Sequence, residues 1–312
     1  MPIDPNPIDP MLHAAPKTHQ KESDRSRFLL SEPCYTKENI ILEENTWTQL
    51  NNLLAAVKYR KLVFDTWGLG KVMKREKGVC ASFYGAPGTG KTMAAHVVAA
   101  ELQQRLLCVN YAEIESKYVG ETAKNLVLLF QTAQKENAIL LFDEADALLS
   151  RRVTDMSNST DVSVNQTRSV LLNLLNEYEG IVLFTTNFIS NFDPAFMRRI
   201  LHHVYFSLPG QALREKLWHH YIPAEMPADV DCGQLAEKYE QLSGSDISNV
   251  VLLAALKSAS LQENRIPQQH FETAVEELLK AKAENDGREN IIIEQHTVSE
   301  EYAKKQIGGI GL

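Results

Sequence analysis

No run of apolar side chains in the 312 residues approaches the roughly 18–20 that a membrane-spanning helix needs. The opening MPIDPNPIDP is rich in Pro and Asp and lacks the basic start and apolar stretch of a secretory signal. Cysteine is scarce: Cys34, Cys80, Cys108 and Cys232 are scattered, with no C-x-x-C pair, a usage that fits buried free thiols in a reducing compartment. Excess basic charge is missing too. The net charge of −8 gives no sequence-wide positive footprint for a nucleic acid, although it leaves room for a local basic patch. Together these absences point to the cytoplasm, with neither membrane nor nucleic acid as the expected partner.

What is present is apolar material, 44% of the chain, enough to fill the cores of two modest domains. Residues 1–38 read as a disordered tail, because Pro2, Pro5, Pro7, Pro10 and Pro16 are followed by charges and few apolar residues. The repeated PIDP within it is either a short docking motif or plain tail. From about 46 to 66 the spacing is helical, and Gly68 and Gly70 end it. Short apolar runs at 79–85, 106–110, 138–143, 180–187 and 203–209 read as strands, with helical patterns at about 90–104, 121–136 and 164–178. Such alternation favours a parallel sheet with helices on both faces, over 39–210. Beyond Gly210 the pattern is wholly helical, giving a small all-helical second domain over 211–285 and a flexible tail over 286–312.

GAPGTGKT, residues 85–92, fits G-x-x-x-x-G-K-[ST] directly after a predicted strand and at the start of a predicted helix. Gly85, Gly88 and Gly90 let the backbone of a loop that includes Ala86, Pro87 and Thr89 wrap phosphate oxygens, and the helix opening at Lys91, Thr92 and Met93 adds positive potential. Lys91 is placed to neutralise β- and γ-phosphates and the Thr92 hydroxyl to ligate Mg²⁺. In AILLFDEAD, residues 138–146, an apolar strand ends in Asp143, suited to hold Mg²⁺ through water, and Glu144 follows where it can polarise an attacking water. Mg²⁺ and ATP are the implied cofactors. A Gly-rich turn alone would mimic the first motif; the strand, the helix and the second motif together argue against that.

With both motifs in view, residues 46–285 resemble the AAA+ ATPases, whose fold is a P-loop NTPase α/β module followed by a helical lid. The resemblance implies that LFTTN, 183–187, ends in the residue that orients the lytic water, Asn187; a turn-forming Asn is the bland alternative. NFDPAFMRR, 191–199, resembles the family's second region of homology, which places an arginine finger in trans on Arg198. A second finger is common in the family three residues later, but that position is Leu201 here, which leaves two readings open: Arg198 alone, or Arg198 with Arg199. Both arginines could instead cap a helix C-terminus. SGSDISNVV, from 243, resembles the lid helix of central AAA members and implies that Gly244 and Ser245 approach the nucleotide. Trp67-Gly68-Leu69-Gly70 stands where such proteins line the adenine pocket, although a helix-ending Gly pair predicts the same residues.

The resemblance also gives a use for Tyr118, Val119 and Gly120, an apolar tip in the polar run ESKYVGET. In family members that act on polypeptides, aromatic-hydrophobic-Gly at this position faces the axial pore of a ring. Aromatic side chains grip an extended chain through contact area without reading its sequence. The alternative packs Tyr118 and Val119 under the sheet. The polar stretch 151–165 is a second pore-facing loop or a plain connection. The expected protein is thus an ATP-hydrolysing homohexamer that remodels or threads a protein partner. Among relatives it looks most like small single-ring bacterial members, including those that remodel HORMA-domain proteins in antiphage operons and those that accompany contractile injection systems. A nucleic-acid loader is the runner-up, weakened by Glu113, Glu115 and Glu121 around the tip. A slow nucleotide-gated scaffold is the third reading.

Overall fold

A computed structural model describes residues 30–73, 78–110, 121–150, 159–187 and 192–285. Among the described residues the sheet has six strands in the order β1-β3-β4-β5-β2-β6. These are β1 (Leu30–Ser31), β2 (Val79–Gly85), β3 (Leu106–Asn110), β4 (Ile139–Asp143), β5 (Ile181–Thr186) and β6 (His202–Phe206). The pairs β3–β4, β4–β5, β5–β2 and β2–β6 are parallel, while β1 runs antiparallel to β3. Helices α1 (Glu44–Lys58), α2 (Lys91–Leu102), α3 (Glu121–Glu136), α4 (Asp146–Leu149), α5 (Ser159–Glu177) and α6 (Pro194–Met197) complete this part.

The central strands read as unbroken apolar runs because both faces of the sheet are covered. Leu140 and Phe142 of β4, with Val182 and Phe184 of β5, enter one core with Leu126, Leu129 and Phe130 of α3 and Leu171 of α5. Their neighbours Ile139, Leu141, Ile181 and Leu183 enter the other core, with Leu50 and Leu53 of α1 and the alanines and valines of α2. Alternate side chains of a strand point to opposite faces, so one run fills two cores.

After Gly210 come α7 (Gln211–Tyr221), α8 (Cys232–Lys238), α9 (Gly244–Ser260) and α10 (Gln268–Asn285), packed around Trp218, Ile247 and Phe271. This part is not wholly helical. Strands β7 (Ala228–Asp229) and β8 (Ile266–Pro267) form a short parallel pair. Arg214 is buried here and donates to the carbonyls of Pro209 (2.8 Å), Ala236 (2.7 Å) and Glu240 (3.0 Å), which ties the segment leaving the sheet to the end of α8.

Three further expectations change. Leu30 and Ser31, read as tail, pair with Leu107 and Leu106, and the Cys34 N–H donates to His96 Nδ1, so residues from 30 on belong to the fold. The helix expected over 46–66 stops at Lys58 and is followed by a separate π-helical turn, Leu62–Thr66. From Ser159 the polar stretch 151–165 is already helix α5; its first part, 151–158, lies outside the described residues.

Candidate nucleotide site

Strands β2, β4 and β5 all end at one edge of the sheet, where Gly85, Asp143 and Thr186 stand, and open parallel sheets bind ligands beyond these carboxyl ends. The backbone leaves β2 through Gly85 at φ 143°, Gly88 at 74° and Gly90 at 94°, a path that side chains with a β-carbon disfavour. A methyl group on Gly85 would lie 2.0 Å from the carbonyl oxygen of Phe206 on the neighbouring β6. Thr89 Oγ1 donates to the Ala86 carbonyl at 2.8 Å and closes the loop. Gly90 then caps α2, whose first backbone N–H groups have no partner within the helix and so face the cleft as an anion-binding end.

Lys91 is 9% exposed. Its ammonium donates to the carbonyls of Gly85 and Ala86, both at 2.8 Å, and to Asn187 Oδ1 at 2.9 Å. Burial lowers its pKa, and the carboxylates of Asp146 and Asp143 oppose that shift. Asn187 is fixed in turn, since its N–H donates to Asp146 Oδ1 at 3.2 Å. The Thr92 hydroxyl donates to Asp143 Oδ1 at 3.0 Å. Glu144 follows with φ 51°, and its exposed carboxylate makes no hydrogen bond or ion pair among the described residues.

Pro87 to Met93, Asp143, Glu144, Asn187, Gly244 and Ser245 all line one cleft of about 400 Å³, within the range of small-molecule sites. Gly85 and Ala86 serve it through their carbonyls. The Ser245 N–H donates to the Gly88 carbonyl at 3.1 Å, so the helical part closes directly on the phosphate loop. A hydroxyl beside one carboxylate suits Mg²⁺, which keeps several waters and shares phosphate oxygens. Among the described residues no larger His, Cys, Asp or Glu cluster offers a metal site.

The far wall was not anticipated. It is apolar, built from Ile40, Ile41 and Leu42 ahead of α1 and from Leu217, His220 and Tyr221 of α7, a setting for a flat base. Trp67 to Gly70 do not line it, and Trp67 is 71% exposed. That corrects the adenine-pocket reading of those four residues. Arg198 and Arg199 are also away from the cleft, beside a second cavity bounded by Asn176 and Tyr178. Arg199 donates from Nε to Asn176 Oδ1 and from Nη1 to the Ala195 carbonyl, both at 2.8 Å. Arg198 is exposed, and its side chain has no such bond among the described residues. Tyr118, Val119 and Gly120 lie outside the described residues.

A profile of the ATPase family associated with various cellular activities (AAA) matches residues 81–208, from β2 through β6. The chain belongs to the AAA ATPases. It is 32% identical over 224 residues to a 26S proteasome regulatory subunit 4 homolog of Schizosaccharomyces pombe, a match covering 68% of this chain and 49% of that protein. It is 34% identical over 223 residues to the proteasome-activating nucleotidase of Aeropyrum pernix, covering 68% of this chain and 52% of the other. The chain therefore spans about half the length of the curated relatives it matches. Among the described residues no helix of this AAA protein is long and apolar enough to cross a membrane.

Proposed function

We propose that this AAA ATPase hydrolyses Mg-ATP at the seams of a homohexameric ring and uses the energy to remodel or thread a protein partner. The observation that carries this reading is the composition of the cleft. Lys91, the Thr92–Asp143 pair, Glu144 and Asn187 converge there, yet no arginine lines it among the described residues. A phosphoryl-transfer site usually draws on a guanidinium to offset charge developing on the transferred group, so here it comes from an adjoining copy, through Arg198. Gly85 to Met93 cradle the triphosphate and Lys91 neutralises its β- and γ-phosphates. Thr92 and Asp143 would hold Mg²⁺, which would supply further charge neutralisation when bound. Glu144 takes the proton of the attacking water, and Asn187 orients that water. The apolar wall with His220 receives the base, while Gly244 and Ser245 bring the helical part onto the phosphates.

The relatives' names, a proteasome regulatory subunit and a proteasome-activating nucleotidase, support a protein rather than a nucleic acid as the partner. In this reading Tyr118, Val119 and Gly120 line the pore and grip the partner. A HORMA-domain protein is the partner class that the sequence resemblance suggests. Glu144→Gln is the direct test. It is expected to bind ATP with affinity within about threefold of wild type, to lose at least about a hundredfold in turnover, and to retain the protein partner in ATP. Turnover at the wild-type rate would remove Glu144 from the chemistry. A wild-type chain that binds ATP but never hydrolyses it would end the motor reading.

A further inference from the structure

Thr185, 2% exposed near the end of β5, is assigned no role by either nucleotide motif. Its hydroxyl links the Asp143 carboxylate to the backbone of Glu144, the next residue along. It accepts the Glu144 N–H at 2.9 Å and donates to Asp143 Oδ1, the same oxygen that takes the Thr92 hydroxyl hydrogen. The direction is forced. An amide N–H only donates, so the Thr185 oxygen gives a lone pair there and its single hydrogen goes to the carboxylate. The Thr185 carbonyl also accepts the Ala145 N–H at 2.8 Å. One residue thus holds both backbone N–H groups that follow Asp143, across a turn where Glu144 sits in a left-handed conformation that most side chains avoid.

We propose that Thr185 is a positioning residue for ATP hydrolysis: its hydroxyl orients the Asp143 carboxylate toward the magnesium position and fixes the turn that presents Glu144 to water. The inference rests on the hydrolytic reading above. Two donors on Oδ1, from Thr92 and Thr185, leave Oδ2 as the oxygen that would be available to a hydrated Mg²⁺. Valine at 185 keeps the branched shape that the strand packs around. It strips one donor from Asp143 and takes from the Glu144 N–H its acceptor. Serine keeps the hydroxyl.

The test uses the full chain as wild type, Thr185→Val and Thr185→Ser. Steady-state kinetics give kcat and KM for ATP, and a fluorescent ATP analogue reports binding as Mg²⁺ is titrated and again in EDTA. Losing a hydrogen bond to a charged group predicts a kcat about ten- to a hundredfold lower in Thr185→Val, with KM within about threefold. The Mg²⁺ concentration that half-tightens nucleotide binding should rise roughly five- to tenfold, with affinity in EDTA unchanged. Thr185→Ser should return both readings to within about threefold of wild type. The proposal is overturned if Thr185→Val keeps wild-type kcat and Mg²⁺ response, or if Thr185→Ser is as impaired as the valine. It is also overturned if affinity falls equally in EDTA, which marks general damage to the cleft. Should the valine protein fail to fold, Thr185→Ala is read by the same criteria. An inactive wild type would sink the hydrolytic reading, and the Mg²⁺ titration would still judge Thr185.

Discussion

At Gly88 the backbone turns through φ 74°, and a methyl group added there would sit 2.5 Å from Ser243 Oγ and 2.8 Å from Ser245 Cβ. Ser243 has little room to yield. Its hydroxyl accepts the Asp246 N–H and donates to Asp246 Oδ2 at 2.7 Å, and Lys282 holds that same carboxylate oxygen at 2.6 Å. Gly88→Ala therefore strains the loop by about 1–2 kcal/mol and pushes the start of α9 off it. The Ser245 to Gly88 hydrogen bond goes with that shift, a further loss of about 1 kcal/mol. The expected outcome is ATP affinity lowered tenfold or more and a thermal midpoint lower by several degrees, read by nucleotide titration and thermal unfolding. Unchanged affinity would mean that the helical part does not help hold the phosphates. The glycines of this loop are legible in the sequence because a positive φ restricts residue type. Thr185 is not, because a threonine in a strand is ordinary and its role comes from partners about 40 positions away.

Elements were legible to the degree that their burial is two-sided and their length sufficient. β4 and β5 declare themselves as apolar runs since each feeds both cores. β1 escapes because two residues among prolines and charges carry no period, and their pairing depends on the edge of β3 being open. Ile40 to Leu42 escape for a related reason: an extended segment that lines a cleft needs no periodicity at all. β6 shows what burial does to charge. His202 and His203 are both half-buried and pushed below the ordinary histidine pKa by burial, His202 also by its neighbour, while His203 shares a 2.7 Å hydrogen bond with Ser82. Above about pH 6.5 neither state carries these protons. As pH falls below that, the unfolded chain takes them up first, so stability is lost until the folded-state pKa values are passed. The thermal midpoint should drop as pH falls below about 6.5, and His202→Gln with His203→Gln should shallow that slope. Some slope will remain, because burial lowers the pKa of His96 too. Identical slopes for the two proteins would show that β6 does not carry the effect.

At the scale of the proposed ring the decisive contrast is between two adjacent arginines. Arg199 is committed within its own protomer, to Asn176 and the Ala195 carbonyl, and Arg198 is exposed beside it with no comparable bond among the described residues. Neither lines the nucleotide cleft of its own chain. In the proposed ring the guanidinium offered to the γ-phosphate of an adjoining copy is that of Arg198, and its removal should lower turnover by about a thousandfold or more while ATP binding persists. Complementation makes the point sharper. Arg198→Ala keeps Glu144 but offers no finger, whereas Glu144→Gln keeps the finger but cannot activate water. Mixed rings contain seams in which an Arg198→Ala cleft meets a Glu144→Gln neighbour, and those seams are complete. Mixing the two inactive proteins should restore turnover, and diluting wild type below its assembly concentration should abolish it. If the mixture stays inactive while each variant still assembles, the finger does not act between copies. If Arg198→Ala works at the wild-type rate at every dilution, each chain hydrolyses alone, and a ring is no longer needed to explain the cleft.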